Sequence, residues 1–431
     1  MALEAGIILT VVFAILLIIS VPISISIVIA SLVTILTILP MDMAIFTASQ
    51  KIVTGLDSFT LLAVPFFILA GILMNNGGVA VRLINFAKVL VGRAPGALAH
   101  TNILGNTLFG SLSGSSVAAA AAIGGVMGPL QKKEGYDPKY SAAVNIASAP
   151  IGLIIPPSGT LIIYSLVSGG TSVAALFVAG YLPGLLWAFA CMVTAFIIAK
   201  RKSYPVSERV SLKVAFKTFV DAIPSLLLIV IVIGGILSGI FTATEASAVA
   251  VAYTFFLSMM YKAVKLKDLP GIIMEAVEVT SVIMLLVAAS SIMSWVMAFT
   301  GIPSALSDLI IGISDNPIVL LLILNLFLLV IGTFMDITPA VLIFTPIFLP
   351  IVAGFGMDPI HFGIMMVMNL SIGNITPPVG SALFVGASIA KLDLEDVIKP
   401  LIPFYVAILV VLFLVSYIPW ISMVLPNLLG Y

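Results

Sequence analysis

The chain has 431 residues, 61% of them hydrophobic and 8% charged, with no formal net charge and a mean hydropathy of +1.30. Soluble domains carry roughly 25% charged residues, so this composition excludes a soluble globule and specifies a polytopic membrane protein. The basic residues fall in short loops between apolar runs and form no stripe, which excludes nucleic acid as a partner and leaves membrane lipid as the surroundings.

Apolar runs close to the ~20 residues that span a bilayer begin at 4–20. This segment lacks a basic leader, so it reads as a first transmembrane helix and not as a cleaved signal. A second run follows at 22–39, joined through Ser20-Val21-Pro22. Next come a loop at 40–51 with Lys51 as its one basic residue, a span at 59–75 and an amphipathic arm at 79–95. Residues 97–130 are apolar but broken by GSLSGSS at 110–116, and 138–168 are broken by GLIIPPSG at 152–159. Two adjacent prolines remove two donors and clash with the preceding turn. Unpaired backbone at membrane depth is tolerated only where protein buries it or a cavity receives it. The spacing therefore predicts a re-entrant helical hairpin over 97–130, a broken helix over 138–168, and a further span at 173–199. Cys191 lies in that span and reads as a packing residue.

After a basic linker at 204–221 the pattern returns. Sliding residues 129–159 onto 350–380, an offset of 221, matches eight Gly, Pro and Asp positions without a gap, among them Gly152 with Gly373 and Pro156-Pro157 with Pro377-Pro378. The chain thus reads as repeat 1 over 1–203 and repeat 2 over 222–431. The second copy has spans within 225–299, an arm at 300–316, a hairpin at 318–351, a broken helix at 359–390 and a last span at 401–425. Residues 79–139 carry Arg82, Lys88, Arg93, Lys132, Lys133 and Lys139, whereas 300–360 carry no Lys or Arg. Positive charge stays on the cytoplasmic side, so the copies are predicted to sit upside down relative to each other, as in many secondary transporters. Lys200, Arg201, Lys202, Arg209, Lys213 and Lys217, with Lys262, Lys265 and Lys267, are then cytoplasmic and both termini lie outside. The expected fold is all-α, with about ten spans and two hairpins, the first entering from the cytoplasm and the second from the outer side.

Half-helix ends inside a bilayer carry oriented partial charge. Around the first pair of breaks lie Ser111, Ser113, Gly114, Ser115 and Ser116, facing Gly152, Ser158 and Thr160. Around the second lie Thr333, Asp336, Thr338 and Thr376, facing Gly373 and Asn374. Hydroxyl and carbonyl oxygens at this density suit sodium, and no imidazole or thiolate is offered to a transition metal. Single membrane Ser and Thr residues ordinarily bond back to their own helix; a cluster on a chain break, repeated by symmetry, argues for ion or substrate binding. Asp336 is the only acidic residue between 316 and 357. A carboxylate at that depth is expected to face a cavity or a partner, as an ion ligand, a proton carrier, a residue orienting the hairpin tip, or a cap of the helix beginning at Ile337. His100, His361 and Glu245 read as packing or capping residues, and the 18 methionines as core.

No phosphate-binding G-x-x-x-x-G-K-[ST] loop, H-E-x-x-H pair or G-x-S-x-G elbow is present. Nothing points to an enzyme or to an organic cofactor, and transport would be driven by an ion gradient. A passive channel would need a continuous polar lining, whereas the polar residues here gather at four breaks.

The stretches LAVPFFILAG, GSLSGSSVAAAAAIG, IIPPSG, GIFTATEASAVA, MDITP and TPPVG, spread over the whole chain, resemble the large membrane subunit of tripartite ATP-independent periplasmic (TRAP) transporters. The resemblance implies a sodium-coupled importer of organic acids in a bacterial inner membrane. Its partners would be a soluble periplasmic binding protein and a small four-span membrane subunit, and one domain would move against another as an elevator. It implies a mobile transport domain of 97–168 plus 318–390, with the other spans as scaffold. Substrate positions carried over are Ser115, Ser116, Thr160 and Asp336. The sodium positions are Ser111, Ser113, Ser115, Gly152, Thr333, Asp336, Thr338, Gly373 and Thr376. Many relatives carry an acidic residue after GSSVA; this chain has Ala118 to Ala122 there. The overall resemblance is nearest the sialic-acid branch, and the runner-up is a stand-alone sodium/dicarboxylate carrier of the same wider superfamily.

Overall fold

The computed structural model of the protein describes residues 2–206, 211–312 and 316–431. Arg209 and the end of the arm at 300–316 lie outside the described residues. Those that are described are helical, with no strand. Among the described residues seven helices are long and apolar enough to cross a membrane, or up to nine if two bent pairs each count as one span.

Prolines and glycines set most of the helix ends. α1 (Ala2–Ile18) stops before Ser20, whose φ of 63° is left-handed, and Pro22 stands at the N-cap of α2 (Ile23–Leu36). Residues 40–51, expected as a loop, instead form most of α3 (Met41–Leu56). Pro40 stands at its N-cap with φ already fixed, and a polar face alternating with apolar residues hides the helix from a search for continuous apolar runs. α3 meets α4 (Ala63–Asn76) at a 63° bend. α5 (Val79–Val91) occupies most of the segment 79–95 and is a helix that buries Leu83, Ile84 and Ala87 on one face. α6 (Ala97–Ser113) and α7 (Ser116–Lys133) meet at Gly114, whose φ of +60° reverses the chain. α8 (Pro138–Ser148), α9 (Ile151–Ile154) and α10 (Gly159–Val167) are separated at Pro150 and at a cis Pro156-Pro157 bond, before the long α11 (Val173–Arg201).

The second half runs α12 (Leu212–Leu237), α13 (Ala243–Met260), α14 (Leu269–Thr300), α15 (Ile302–Ile311), α16 (Pro317–Phe334), α17 (Ile337–Gly354), α18 (Pro359–Gly373), α19 (Ser381–Ala390) and α20 (Leu394–Tyr417), then α21 (Trp420–Leu428). Shifting the bounds of α6 and α7 by 221 gives 318–334 and 337–354, within one residue of α16 and α17. The breaks differ where the sequences differ. Pro150 interrupts α8 and α9, while its counterpart Ser371 lets α18 run on. α14 begins eleven residues before the apolar run at 280, because Glu275 and Glu278 end the run but not the helix. The last span, expected at 401–425, is α20, which closes at Tyr417 ahead of Pro419.

The packing crosses the halves reciprocally: α7 lies on α19 and α17 on α10, α8 on α20 and α18 on α11, α2 on α14 and α13 on α4. Each contact thus has a counterpart with the halves exchanged. The largest buried side chains sit in the elements that cross, among them Tyr140, Tyr164, Trp187, Phe362 and Phe404. The exposed apolar side chains lie along the outer helices, as on Ile7, Val11, Phe46, Val230, Val282 and Val406, where lipid takes the place of water.

Candidate functional site

The four breaks converge because the hairpin helices cross the broken helices at glycine. A Cβ on Gly152 would stand 2.4 Å from the Gly110 Cα, and one on Gly373 would stand 2.2 Å from the Gly332 carbonyl carbon. Backbone therefore rests on backbone at both crossings, which brings the tip of α6–α7 beside the α9–α10 break and the tip of α16–α17 beside the α18–α19 break. Between them opens a cavity of about 460 Å³. Its wall includes Ser113, Ser115 and Ser116 of the first tip, Thr160 of α10, Asp336 and Thr338 of the second tip, and Asn374 of the second broken helix. α4 and α14 close the other side and contribute Asn75 and Glu275.

A polar chain ties the two halves together along this wall. Asn374 Nδ2 donates to Ser116 Oγ at 3.2 Å, and Asn374 Oδ1 accepts from the Ala382 amide at 2.8 Å and from the Ser381 hydroxyl at 2.7 Å. Ser381 Oγ also lies 3.3 Å from Asp336 Oδ1. Ser115 caps α7, accepting from the Ala118 amide at 3.2 Å. Asp336 holds the equivalent cap position of α17, yet its side chain makes no cap hydrogen bond, which leaves the carboxylate directed to the cavity and to Ser381. Ser113 Oγ is buried without a hydrogen-bond partner.

The other sodium candidates stand behind this wall. Ser111, Thr333 and Thr376 hydroxyls bond to the carbonyls of Leu108, Val330 and Ile372 in their own helices, at 2.9, 2.7 and 2.6 Å. Gly152 and Gly373 serve as the crossing points themselves. Six candidates therefore share the cavity, namely Ser113, Ser115, Ser116, Thr160, Asp336 and Thr338, and five do not. The seryl, threonyl and carboxylate oxygens are donors for a hard monovalent cation. Among the described residues no cluster of His, Cys, Asp and Glu is dense enough for a multivalent metal.

Sequence reasoning did not single out Glu275 or Ser381. Glu275 falls outside the apolar run that defined its span, although a carboxylate flanked by Ile272, Ile273 and Met274 is itself a signal of membrane depth. Ser381 carried no signal of its own, because it acts only through its distance to Asn374 and Asp336.

The model of the family described as tripartite ATP-independent periplasmic transporter, DctM component, matches residues 10–421. The chain is 56% identical to protein YgiK of Salmonella typhimurium over 416 residues, covering 96% of each. It is 41% identical to the sialic acid TRAP transporter large permease SiaM of Vibrio cholerae over 386 residues, covering 89% of this chain and 90% of that one. It is 37% identical to the C4-dicarboxylate TRAP transporter large permease DctM of Rhodobacter capsulatus over 425 residues, covering 95% and 96%. Among solved structures, the YdaH transporter of Alcanivorax borkumensis has a similar fold, with a TM-score of 0.60 at 15% identity over 89% of this chain and 90% of that one. The relatives named for a function are permease subunits and not enzymes. A family match over nearly the whole length, on a chain of many apolar helices, establishes that this multi-pass inner-membrane protein belongs to the DctM component family of TRAP transporters.

Proposed function

We propose that the chain is the transport subunit of a sodium-coupled importer of organic acids, sialic acid first among them, and that it works as an elevator. The observation that carries this reading is the single cavity in which both hairpin tips, the first broken helix and Asn374 of the second meet opposite α4 and α14. Segments 97–168 and 318–390 form one wall and would move as the transport domain, while α4 and α14 stay with the scaffold. A site built on one side of such a sliding boundary is carried across the membrane with it. Opposite charge bias of the two repeats supports inverted orientation, with ten spans, two hairpins and the basic linker in the cytoplasm.

Sodium would sit among the oxygens of Ser113, Ser115, Thr338 and Asp336. Its charge offsets that of a substrate carboxylate, which neither Asp336 nor Glu275 would attract unaided. Ser116 and Thr160 supply hydroxyls for the substrate. A periplasmic binding protein would deliver substrate, and a small four-span membrane subunit would complete the complex. A C4-dicarboxylate is the second substrate reading, favoured by the 37% identity to the Rhodobacter capsulatus permease.

The test is uptake of labelled sialic acid into proteoliposomes holding this chain and its small subunit, with binding protein outside, with and without an inward sodium gradient. Uptake that needs both sodium and the binding protein is the expected result. Sodium-driven uptake without the binding protein reassigns the chain to stand-alone carriers. Uptake of succinate in place of sialic acid moves the substrate to the dicarboxylates.

A further inference from the structure

A second cavity, of about 240 Å³, lies at the other end of α7, bounded by α6, α8 and α19. It is separated from the first along the helix. Along α7 the first cavity is lined as far as Ala121 and the second from Gly124 onward, about 4.5 Å apart along the axis at ~1.5 Å per residue, and among the described residues none lines both. Its lining is polar at the base and basic at the mouth. Asn102, Gln131 and Ser141 are 1%, 0% and 5% exposed. Each carries a buried polar atom without a hydrogen-bond partner: Asn102 Nδ2, Gln131 Oε1 and Ser141 Oγ.

The other ends of two of these side chains are fixed. Asn102 Oδ1 accepts from Asn106 Nδ2 at 3.2 Å, and Gln131 Nε2 donates to the Leu98 carbonyl at 3.2 Å. The free ends cannot be paired by turning the amides over without breaking those bonds. Buried polar atoms are ordinarily satisfied, and three unsatisfied ones around one cavity mark a missing occupant. Lys132 and Lys391 stand at the mouth, both exposed, and neither forms an ion pair among the described residues. Among the described residues no Asp or Glu lines the cavity.

We propose that this cavity is a second binding site, for a small oxyanion that carries an O–H, such as hydrogen phosphate or the headgroup of phosphatidylglycerol. The Asn102 amide, the Ser141 hydroxyl and the two ammonium groups donate to the anionic oxygens, and Gln131 Oε1 accepts from the ligand O–H. The site is distinct from the transport cavity and does not depend on which acid is carried.

Gly128 supplies the test. It lines the cavity, and a Cβ built there meets nothing within 4 Å, so a substitution is unobstructed at its first carbon. Gly125, one turn back on the same helix, is equally unobstructed and does not line the cavity. The full-length chain in delipidated detergent micelles is titrated calorimetrically with inorganic phosphate and, separately, with dihexanoyl-phosphatidylglycerol. The expected result is saturable binding of at least one probe, weakened tenfold or more by Gly128→Leu and by Lys132→Gln combined with Lys391→Gln, and unchanged by Gly125→Leu. Preference between the probes identifies a free anion or a lipid as the source. Absence of binding by both probes, equal binding by wild type and Gly128→Leu, or equal loss in Gly125→Leu overturns the proposal.

Discussion

Asp336 and Ser115 hold equivalent positions, each at the N-cap of the second limb of a hairpin, but they differ in what their side chains do. Ser115 spends its oxygen on the Ala118 amide, whereas Asp336 makes no cap bond and keeps its oxygens for the cavity and Ser381. Asp336→Ala is therefore expected to abolish uptake while the chain still assembles with its partners, because no helix loses a cap bond. Size-exclusion chromatography of the complex beside a transport assay checks both halves of that statement, and near-normal uptake removes Asp336 from the mechanism. Outside the membrane, Asp137 joins Lys202 at 3.1 Å and accepts from the Lys139 amide at 3.0 Å. Burial pushes its carboxyl up, but the Lys202 hydrogen bond and the backbone donor outweigh burial and hold it below the ordinary value of 3.8. A depressed carboxylate contributes stability that is complete above its unfolded-state value and fades as pH falls through the folded one. The pair is partly exposed, so about 0.5 kcal/mol is expected from it. The thermal stability of wild type over Asp137→Asn should stay constant from neutral pH to near 3.8 and vanish below, as differential scanning fluorimetry can measure.

At the scale of elements, α6 crosses α9 and α16 crosses α18 where glycine backbone meets glycine backbone. An added methyl at Gly373 meets the Gly332 carbonyl carbon at 2.2 Å, so the helices must separate or tilt. Gly373→Ala is expected to cost about 1–3 kcal/mol, as overpacking does, and to lower the unfolding temperature more than Gly354→Ala, where a Cβ has open space. Equal effects of the two would mean that the crossing is loose. These same glycines and prolines make the broken elements legible in the sequence: a residue that lacks a Cβ or an amide proton announces its backbone there. What stayed hidden was helix that carries charge. Residues 40–51 and the first turns of α14 are helical but not continuously apolar, so a reading by apolar runs ended at Asp42 and at Glu278 and left Glu275 out of the cavity. Of the site, the tips were legible because a break with hydroxyls is unusual in an apolar run. The division of the hydroxyls was not, because only packing decides whether Ser111 bonds to Leu108 or Ser116 reaches Asn374.

At the scale of the molecule, the cavity lies where two groups of helices face each other, and the proposed elevator requires them to slide. A Cβ on Gly71 of α4 would stand 3.5 Å from the Ser113 Cα at the first tip, which brings the two Cα atoms to within about 5 Å, inside the range that a disulfide joins. The one native thiol, Cys191, is fully buried and does not interfere. Gly71→Cys combined with Ser113→Cys gives up the Ser113 oxygen and is expected to transport less than wild type even when reduced; oxidation is expected to abolish the uptake that remains and reduction to restore it to that lower level, whereas uptake that persists in the cross-linked form excludes relative motion at that boundary. The bond from Asn374 to Ser116 has a consequence for how the protein is made. These residues are 258 positions apart in the chain, so when the ribosome has delivered the first hairpin to the membrane, its partner has not yet been synthesised. The first hairpin must wait in the bilayer with Ser116 unclaimed until the penultimate stretch of chain arrives. A nascent chain released before that point holds every residue of one tip and no working site, and the cell's membrane proteases are given an unfinished seam by which to recognise it.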